Sequence, residues 1–312
     1  MVKIPKIKSE IREDYIHDRF VIVAPKRTQR PHDIIEHKEI PVKSKDCPFC
    51  QEVKHPSQRA LYQTGPEKSW EIKVIKNIFP IVSNDNPKAY GYHEIVIETP
   101  HHNKELAEFG EGHIVRLLGA YAHRIKVLTK DKKIVYILIF KNHGGKAGAS
   151  LVHAHSQIFA TSFIPPHIID KLTRAENYRI KYGVCYYCQL VKKEMKGPRR
   201  IYHDRYIAAF TPYASTYNYE VWIFPKRHVD NLTQLHYEEL KSLAKITKKI
   251  IIKINRLGLP YNFYLHHAVT DKTEHFYLRI CPRKDVWAGI ELSSRLIVNT
   301  VSPEEAAKFY RG

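Results

Sequence analysis

Two histidines and a glutamine alternate along one short segment, His153-Ala154-His155-Ser156-Gln157. Alternate residues of a β-strand share a face, so His153, His155 and Gln157 are expected to point the same way. A neutral imidazole held on a rigid strand can attack an electrophilic phosphorus, and a glutamine amide can donate to the phosphoryl oxygen that gains charge. The simpler interpretation is that both histidines bind metal or form a polar strand face.

A glycine-rich turn, Gly144-Gly-Lys-Ala-Gly148, precedes this segment, and Ser150 follows the turn. Successive backbone N–H groups in such a turn form a concave site for anions. We therefore expect the turn and the Ser150 hydroxyl to cradle phosphates opposite the histidines.

Four of the five cysteines form two Cys-x-x-Cys pairs, each followed by a histidine at a strand end and by a second histidine on a later strand. This pattern fits tetrahedral Cys₂His₂ zinc better than a redox-active thiol pair or an accident of packing. A redox pair requires a helix start inside a β–α–β unit, which the sequence predicts at neither pair. Cys281 is left over and is expected to pack as a small apolar residue. The predicted ligands of two zinc ions per chain are Cys47, Cys50, His102 and His153 in the first half, and Cys185, Cys188, His228 and His275 in the second.

The same series of elements follows each cysteine pair. Apolar and alternating patterns predict two strands, a helix and two further strands in both halves. The predicted elements span 70–82, 92–99, 103–128, 134–140 and 153–163 in the first half, and 206–210, 219–224, 240–254, 262–266 and 275–280 in the second. Glu94 precedes His102 by eight residues, as Glu220 precedes His228. The order predicts two copies of one α+β unit, with a boundary near residues 165–180.

The two copies differ where the chemistry is expected. Aligning His153 with His275 places Tyr277 opposite His155, and Arg279 opposite Gln157. The second copy therefore keeps the predicted metal ligand and lacks the nucleophile, which suggests that His155 does more than hold metal.

Composition limits the class of protein. The chain has 312 residues, of which 43% are hydrophobic, and 51 Lys and Arg against 32 Asp and Glu give a formal charge of +19. Such a chain can bury a full core, so disorder and a small disulfide-stapled scaffold are excluded. The surplus charge favours an anionic partner, either a nucleic acid or a nucleotide, although basic residues at helical spacing are typical of a solvated face. No apolar run is long enough to cross a bilayer, and we expect a cytoplasmic protein that binds neither membrane nor nucleic acid.

Taken together, these residues resemble the galactose-1-phosphate uridylyltransferase family, a branch of the histidine triad superfamily. The most specific match is to the family's block Asn…Gly-x-Ser-x-x-His-x-His-x-Gln, formed here by Asn142, Gly148, Ser150, His153, His155 and Gln157. Thr99-Pro-His-His102 resembles the helix entry that supplies a zinc ligand. The segment with Arg27 and Arg30 resembles an arginine pair near nucleotide phosphates, and the segment with Asn77 resembles the nucleoside-binding strand.

The resemblance implies a fold and an activity. The fold is α+β, with two related histidine-triad-like halves that are each an antiparallel half-barrel sheet with flanking helices, in a homodimer. Residues 1–170 form the half with the nucleophile, and residues 171–312 form the half without it. The implied enzyme is a transferase of galactose metabolism that works by a ping-pong mechanism. His155 takes the uridylyl group from UDP-glucose and passes it to galactose 1-phosphate, and Gln157 stabilises the intermediate. The implied substrate-binding residues are Arg27, Arg30, Asn77, Asn142, Gly148, Ser150, Glu291 and Asn299.

Several positions depart from the family's pattern. Ala154 stands in the middle of the usual His-Pro-His, and Lys171 stands where many bacterial members have an acidic metal ligand. The pair Cys185-Tyr-Tyr-Cys188 resembles the two-zinc arrangement of ADP-glucose phosphorylases. Near Glu291, Ile290 replaces an aromatic residue. These departures leave the base and the hexose open, so an ADP-sugar or dinucleoside-polyphosphate phosphorylase remains an alternative, as does a zinc-stapled nucleic-acid-binding protein.

Overall fold

A computed structural model describes residues 9–16, 19–29, 43–55, 58–269 and 273–312 of the chain. Within these residues the fold is α+β, as predicted, with thirteen strands and seven α-helices. The strands are β1 Glu10–Glu13, β2 Phe20–Val23, β3 Tyr62–Thr64, β4 Ile72–Lys76, β5 Gly91–Ile97, β6 Tyr136–His143, β7 His155–Thr161, β8 Arg200–His203, β9 Ile207–Phe210, β10 Val221–Pro225, β11 Tyr261–Ala268, β12 Leu278–Pro282 and β13 Ile297–Asn299. The helices are α1 Pro48–Lys54, α2 Glu111–Leu128, α3 Pro166–Tyr182, α4 Tyr186–Glu194, α5 Tyr237–Arg256, α6 Gly289–Ser294 and α7 Pro303–Arg311. None of these helices is long and apolar enough to span a bilayer.

Ten strands form one antiparallel sheet in the order β3-β4-β5-β7-β6-β11-β12-β10-β9-β8. Read from the outer edge to the centre of the sheet, the first half has the order β3-β4-β5-β7-β6, and the second half has the order β8-β9-β10-β12-β11. In both halves the last two strands of the sequence exchange places. The halves join at β6 and β11, which pair over their full length from Tyr136 opposite Ala268 to His143 opposite Tyr261. A separate small sheet pairs β1 with β2 and β2 with β13, which ties residues near both ends of the chain together. The division at residue 170 stays a prediction.

The long helices α2 and α5 cover one face of the large sheet. Apolar residues recur at helical spacing on both helices, so each has a stripe that packs against the sheet and against the other helix. Alternate residues of β6, such as Ile137 and Ile139, are fully buried beneath them. Helix α5 begins with reciprocal capping between His236 and Glu239.

The opposite face of the sheet carries polar and aromatic side chains. Strand register aligns Gln157 of β7 with Phe140 of β6, Tyr264 of β11 and Arg279 of β12. Directly paired residues of antiparallel strands point to the same face, so these four side chains form one row across both halves. The residues predicted to do chemistry therefore lie on the face that the long helices leave uncovered.

Three sequence predictions are corrected in detail. The helix predicted over 103–128 begins only at Glu111, because Gly110 is its N-cap and a separate 3₁₀ turn spans Leu106–Glu108. His153 precedes β7 instead of lying in it. The sheet register makes His93, and not Glu94, the counterpart of Glu220, because Ile95 pairs with Gln157 as Trp222 pairs with Arg279.

A buried ion pair lies directly behind β7, the strand that begins with His155. Lys141 on β6 points to the helix side and donates from Nζ to Glu98 Oε2 at 2.9 Å and to the backbone oxygen of His155 at 3.3 Å. The Glu105 carboxylate lies 3.2 Å from the same nitrogen. The Lys141 and Glu98 side chains are 1% and 0% exposed, so neither charge can be solvated by water.

We expect Lys141→Met to lower the free energy of unfolding by about 3–5 kcal/mol, because it leaves buried carboxylates without their cation. Adding Glu98→Gln to this variant should recover part of the loss, since it removes one of the uncompensated charges. Urea unfolding of both variants tests this. The matched control is Glu71→Gln in the pair of Arg116 and Glu71, which are each 45% exposed, and it should cost less than about 1 kcal/mol. Equal losses at the buried and exposed pairs would contradict the prediction.

Candidate active site

His155 is the first residue of β7, and its side chain is buried. Its Nδ1 lies 2.9 Å from the backbone oxygen of His153. A carbonyl oxygen only accepts hydrogen bonds, so Nδ1 carries the proton and Nε2 holds the lone pair. Burial, reinforced by the nearby Lys141 ammonium, lowers the pKa of His155 and favours the neutral ring. The Phe49 ring packs against the imidazole with 5.0 Å between centroids, which helps to hold the ring in this orientation.

Gln157 lies on the same face of β7 as His155, two residues further on. Its Oε1 lies 2.8 Å from Nε2 of His93 on β5. This contact uses the acceptor end of the amide, so the amide nitrogen is the end that can donate to a ligand. The histidine and the glutamine predicted to act together are thus neighbours on one rigid strand.

The glycine-rich turn reaches the same face through Asn142. Phe140 pairs with Gln157, so Asn142 lies on the face that carries His155. Its Nδ2 donates to the Gly148 oxygen at 3.3 Å, and its Oδ1 accepts from Asn262. Gly148 and Gly144 have φ of +83° and +79°, which favours glycine at both positions.

The first cysteine pair converges with both of its predicted histidines. The ligand atoms of Cys47, Cys50, His102 and His153 lie within 4.8 Å of one another. The Cys50 sulfur is 3.2 Å from Nδ1 of His102 and 3.4 Å from Nδ1 of His153. A tetrahedral zinc ion with its usual bond lengths holds sulfur and nitrogen about 3.5 Å apart, so the four donors fit an ion of that size.

The second cluster repeats this geometry. Cys185, Cys188, His228 and His275 also have their ligand atoms within 4.8 Å, and the Cys188 sulfur is 3.4 Å from Nδ1 of each histidine. In both clusters the buried histidine bonds a backbone oxygen with its other nitrogen: His153 Nε2 at 2.8 Å from Thr99, and His275 Nε2 at 2.9 Å from Pro225. Such an outer contact is typical of histidines that bind metal, because it fixes the tautomer.

Each cysteine pair opens a short helix that the sequence analysis had not placed. Cys47 is the N-cap of α1, and Cys185 is the N-cap of α4. Neither helix belongs to a β–α–β unit of parallel strands, since the large sheet is antiparallel. The helix start lets two cysteines three residues apart face one point, as the ligands of a metal ion must.

The predicted substrate-binding residues fall into two groups. Asn142 and Glu291 line one cavity of about 970 Å³, which is also lined by Phe140 and Tyr264 of the site face. Ser150 and Gly148 are exposed at the glycine-rich turn. Asn77 lies after β4 and close to His93.

The second group consists of Arg27, Arg30 and Asn299. Arg27 is exposed on a 3₁₀ turn, and Arg30 lies outside the described residues. Asn299 is 1% exposed, and its amide donates to the Ser215 oxygen at 2.8 Å and accepts from the Val301 N–H. Both ends of the Asn299 amide therefore form hydrogen bonds within the protein. The roles of all these residues in binding substrate stay predictions.

Residues 5–165 match the family model for the N-terminal domain of galactose-1-phosphate uridyl transferase, which covers just over half of the chain. The chain belongs to the galactose-1-phosphate uridylyltransferase family. It is 30% identical to an ADP-glucose phosphorylase of Arabidopsis thaliana over 97% of this chain and 92% of that protein. It is 27% identical to a galactose-1-phosphate uridylyltransferase of Thermotoga maritima over 97% of this chain and 98% of that protein.

A solved structure agrees with this assignment to the galactose-1-phosphate uridylyltransferase family. The crystal structure of an ADP-glucose phosphorylase from Arabidopsis thaliana with bound ADP-glucose matches with a TM-score of 0.86 and 30% identity, over 97% of this chain and 98% of that chain. The family resemblance drawn from the block at 142–157 is therefore confirmed.

Sequence reasoning missed three residues that shape the site of this family member. His93 bonds Gln157, Phe49 packs on His155, and Lys141 bonds the His155 backbone. His93 stands beside Glu94, and Lys141 follows the apolar run 134–140, so each lies at the polar end of a predicted strand and the sequence does not show which partner it meets. Nothing local marks Phe49, which meets His155 only after folding.

We expect about two equivalents of divalent metal per chain, and Cys50→Ser and Cys188→Ser should each lose one of them. A tetrahedral shell that lacks one thiolate loses both a bond and a neutralising charge. Metal analysis by mass spectrometry after gel filtration in metal-free buffer measures the content. Cys281→Ser is the matched control, because Cys281 belongs to neither cluster, and it should keep both equivalents. Full metal content in Cys188→Ser would contradict the second cluster.

Proposed function

We propose that this chain is a nucleotidyltransferase in which His155 carries the nucleotide between two half-reactions. The observation that carries the proposal is the contact from His155 Nδ1 to the His153 oxygen, which leaves Nε2 as the nucleophile at the start of a rigid strand. A nucleoside diphosphate glucose as donor is supported by similarity to an ADP-glucose phosphorylase and to a galactose-1-phosphate uridylyltransferase.

In the first half-reaction, Nε2 of His155 attacks the α-phosphorus of the nucleoside diphosphate glucose. A P–N bond forms, the bond to the bridging oxygen breaks, and glucose 1-phosphate leaves with the electron pair. Gln157 donates from its amide nitrogen to the phosphoryl oxygen that gains charge. Backbone N–H groups of the turn at 144–148 and the Ser150 hydroxyl bind the phosphates. In the second half-reaction, an oxygen of the acceptor phosphate attacks the same phosphorus, and His155 leaves as the neutral imidazole.

We propose inorganic phosphate as the acceptor and ADP-glucose as the donor. This choice is supported by the 30% identity to an ADP-glucose phosphorylase over nearly all of both chains, with a TM-score of 0.86 to such an enzyme. It is also supported by the second Cys/His cluster, since the sequence pattern of its cysteines resembles that of ADP-glucose phosphorylases. The reaction then yields ADP and glucose 1-phosphate.

The uridylyl exchange predicted from the sequence is the second candidate. In this reaction UDP-glucose is the donor and galactose 1-phosphate is the acceptor. It is supported by the Thermotoga relative and by Glu291, which lies with Asn142 along one cavity large enough for a sugar phosphate. Both candidates use His155 in the same role and differ in the base and the acceptor.

We propose zinc for both Cys/His clusters. Two thiolates cancel the charge of the ion, and two imidazoles complete a closed shell that leaves no position for substrate. In this arrangement zinc has a structural role, in which it staples distant segments and supports the strand of the nucleophile. A homodimer in the cytoplasm, without nucleic acid as a partner, also remains part of the proposal.

We expect ADP-glucose labelled at the α-phosphorus to leave label on the protein after denaturation, and His155→Ala to abolish this label. Gln157→Ala should slow labelling by about 10²–10³-fold, as the loss of one donor to a developing oxyanion does. Quenched single-turnover reactions with ADP-glucose and with UDP-glucose give the rates. His123→Ala on α2 is the control and should label at the rate of the unaltered chain. Absence of bound label with both donors, or persistence of label in His155→Ala, would contradict the proposal.

The acceptor is decided by chasing the labelled protein. We expect inorganic phosphate to release the label as ADP. Release by galactose 1-phosphate as a nucleoside diphosphate galactose, without release by phosphate, would instead favour the uridylyl exchange.

A further inference from the structure

We infer that His93 is a positioning residue that fixes the direction in which the Gln157 amide donates. The inference rests on the proposed function, in which the Gln157 amide nitrogen faces the phosphoryl group. Its physical basis is a chain of hydrogen bonds that starts at backbone N–H groups after β4 and ends at Gln157.

The first step sets the orientation of Asn77. The Phe79 N–H donates to Asn77 Oδ1 at 2.9 Å. The other end of the Asn77 side chain is therefore Nδ2, a donor, and it lies 3.3 Å from both ring nitrogens of His93. An amide N–H₂ group can donate to a histidine nitrogen only where that nitrogen holds a lone pair.

The second step sets the tautomer of His93. The Ile81 N–H donates to Nδ1 of His93 at 3.1 Å. A backbone N–H can only donate, so Nδ1 is an acceptor and has no proton. Burial also lowers the pKa of His93, in agreement with a neutral ring. The single ring proton must then lie on Nε2.

The third step sets the orientation of Gln157. With its proton on Nε2, His93 donates to Gln157 Oε1 across 2.8 Å. The terminal torsion of a glutamine has two nearly equivalent orientations, and this bond selects the one in which the N–H₂ group is turned away from His93. Without His93 the amide can turn over and present its oxygen to the negatively charged phosphoryl group, where it repels instead of stabilising.

The second half of the sheet uses the same position in the same way. Arg279 occupies the sheet position of Gln157, and Glu220 occupies that of His93. Glu220 Oε1 accepts from Nε of Arg279 at 2.6 Å. In both halves, a side chain at the His93 position therefore bonds the side chain at the Gln157 position on the neighbouring strand. In the second half the result is a buried ion pair, whereas in the first half the partner is neutral and the Gln157 amide nitrogen faces the ligand.

The test is a double-mutant cycle on the rate of nucleotide transfer to His155. His93→Phe keeps a ring against Phe159, whose centroid lies 6.2 Å from that of His93, and removes the hydrogen bonds that His93 makes with Asn77, Ile81 and Gln157. We expect it to slow labelling about 10–100-fold in the unaltered chain, as the loss of a contact that orients a functional group does. In the Gln157→Ala background the same change should alter the rate less than about 3-fold, because its effect passes through Gln157. Equal losses in both backgrounds, or no loss in either, would overturn the inference.

Two further measurements separate this role from a structural one. His123→Phe, which removes an imidazole stacked on Tyr62 away from the site, should keep the unaltered labelling rate. Two-bond ¹H–¹⁵N spectra of the histidine-labelled chain, assigned by difference with His93→Phe, should show the Nε2-protonated ring, and a proton on Nδ1 would overturn the inference. This readout needs no substrate, so a chain that never takes label contradicts the proposed function, while the spectrum still tests the tautomer of His93 on which the inference rests.

Discussion

One residue, His153, makes the contacts on which the arrangement of the site depends. Its Nδ1 faces the thiols of Cys47 and Cys50, its Nε2 bonds the Thr99 oxygen beyond β5, and its own backbone oxygen bonds Nδ1 of His155. The direction of the His155 ring is thus tied to a cluster whose members are more than a hundred residues apart in the chain. Bringing such distant segments together costs loop-closure entropy, which the contacts of the cluster must offset. The bond from the His153 oxygen keeps the His155 ring from turning.

The two faces of the large sheet differ in what they carry: one packs the apolar core, and the other presents the candidate site residues. Helices α2 and α5 cover one face with a continuous apolar core, while the other face carries the row from Gln157 to Arg279. Some ion pairs are buried in the core, where they hold backbone groups in place. Lys141, for example, pairs with Glu98 behind β7 and bonds the backbone oxygen of His155. Such buried cations are neutralised in place. The net charge of +19 therefore comes largely from solvated side chains, which can attract a nucleotide without forming a dedicated groove.

The two halves of the sheet share their supporting contacts and differ at the positions of His155 and Gln157. Both halves keep the Cys/His cluster, the outer contact from its buried histidine to a backbone oxygen, and a side chain that holds the residue at the position of Gln157. In the second half Tyr277 and Arg279 replace His155 and Gln157, and Arg279 forms a buried ion pair with Glu220. The second half therefore repeats the supporting structure of the first, without the groups proposed to carry the reaction.

The sequence by itself determined which residues could bind metal, which histidine lacked a counterpart, and roughly where strands and helices lie. These conclusions depend on residue chemistry and on spacing along one chain. Only the tertiary structure decided that His93 holds Gln157, that Glu220 corresponds to His93, and that the Asn299 amide is already used by the backbone. The physical reason is that side-chain faces follow from the register between strands. A shift of one residue reverses the face, and register is fixed by contacts between segments that the local pattern does not contain.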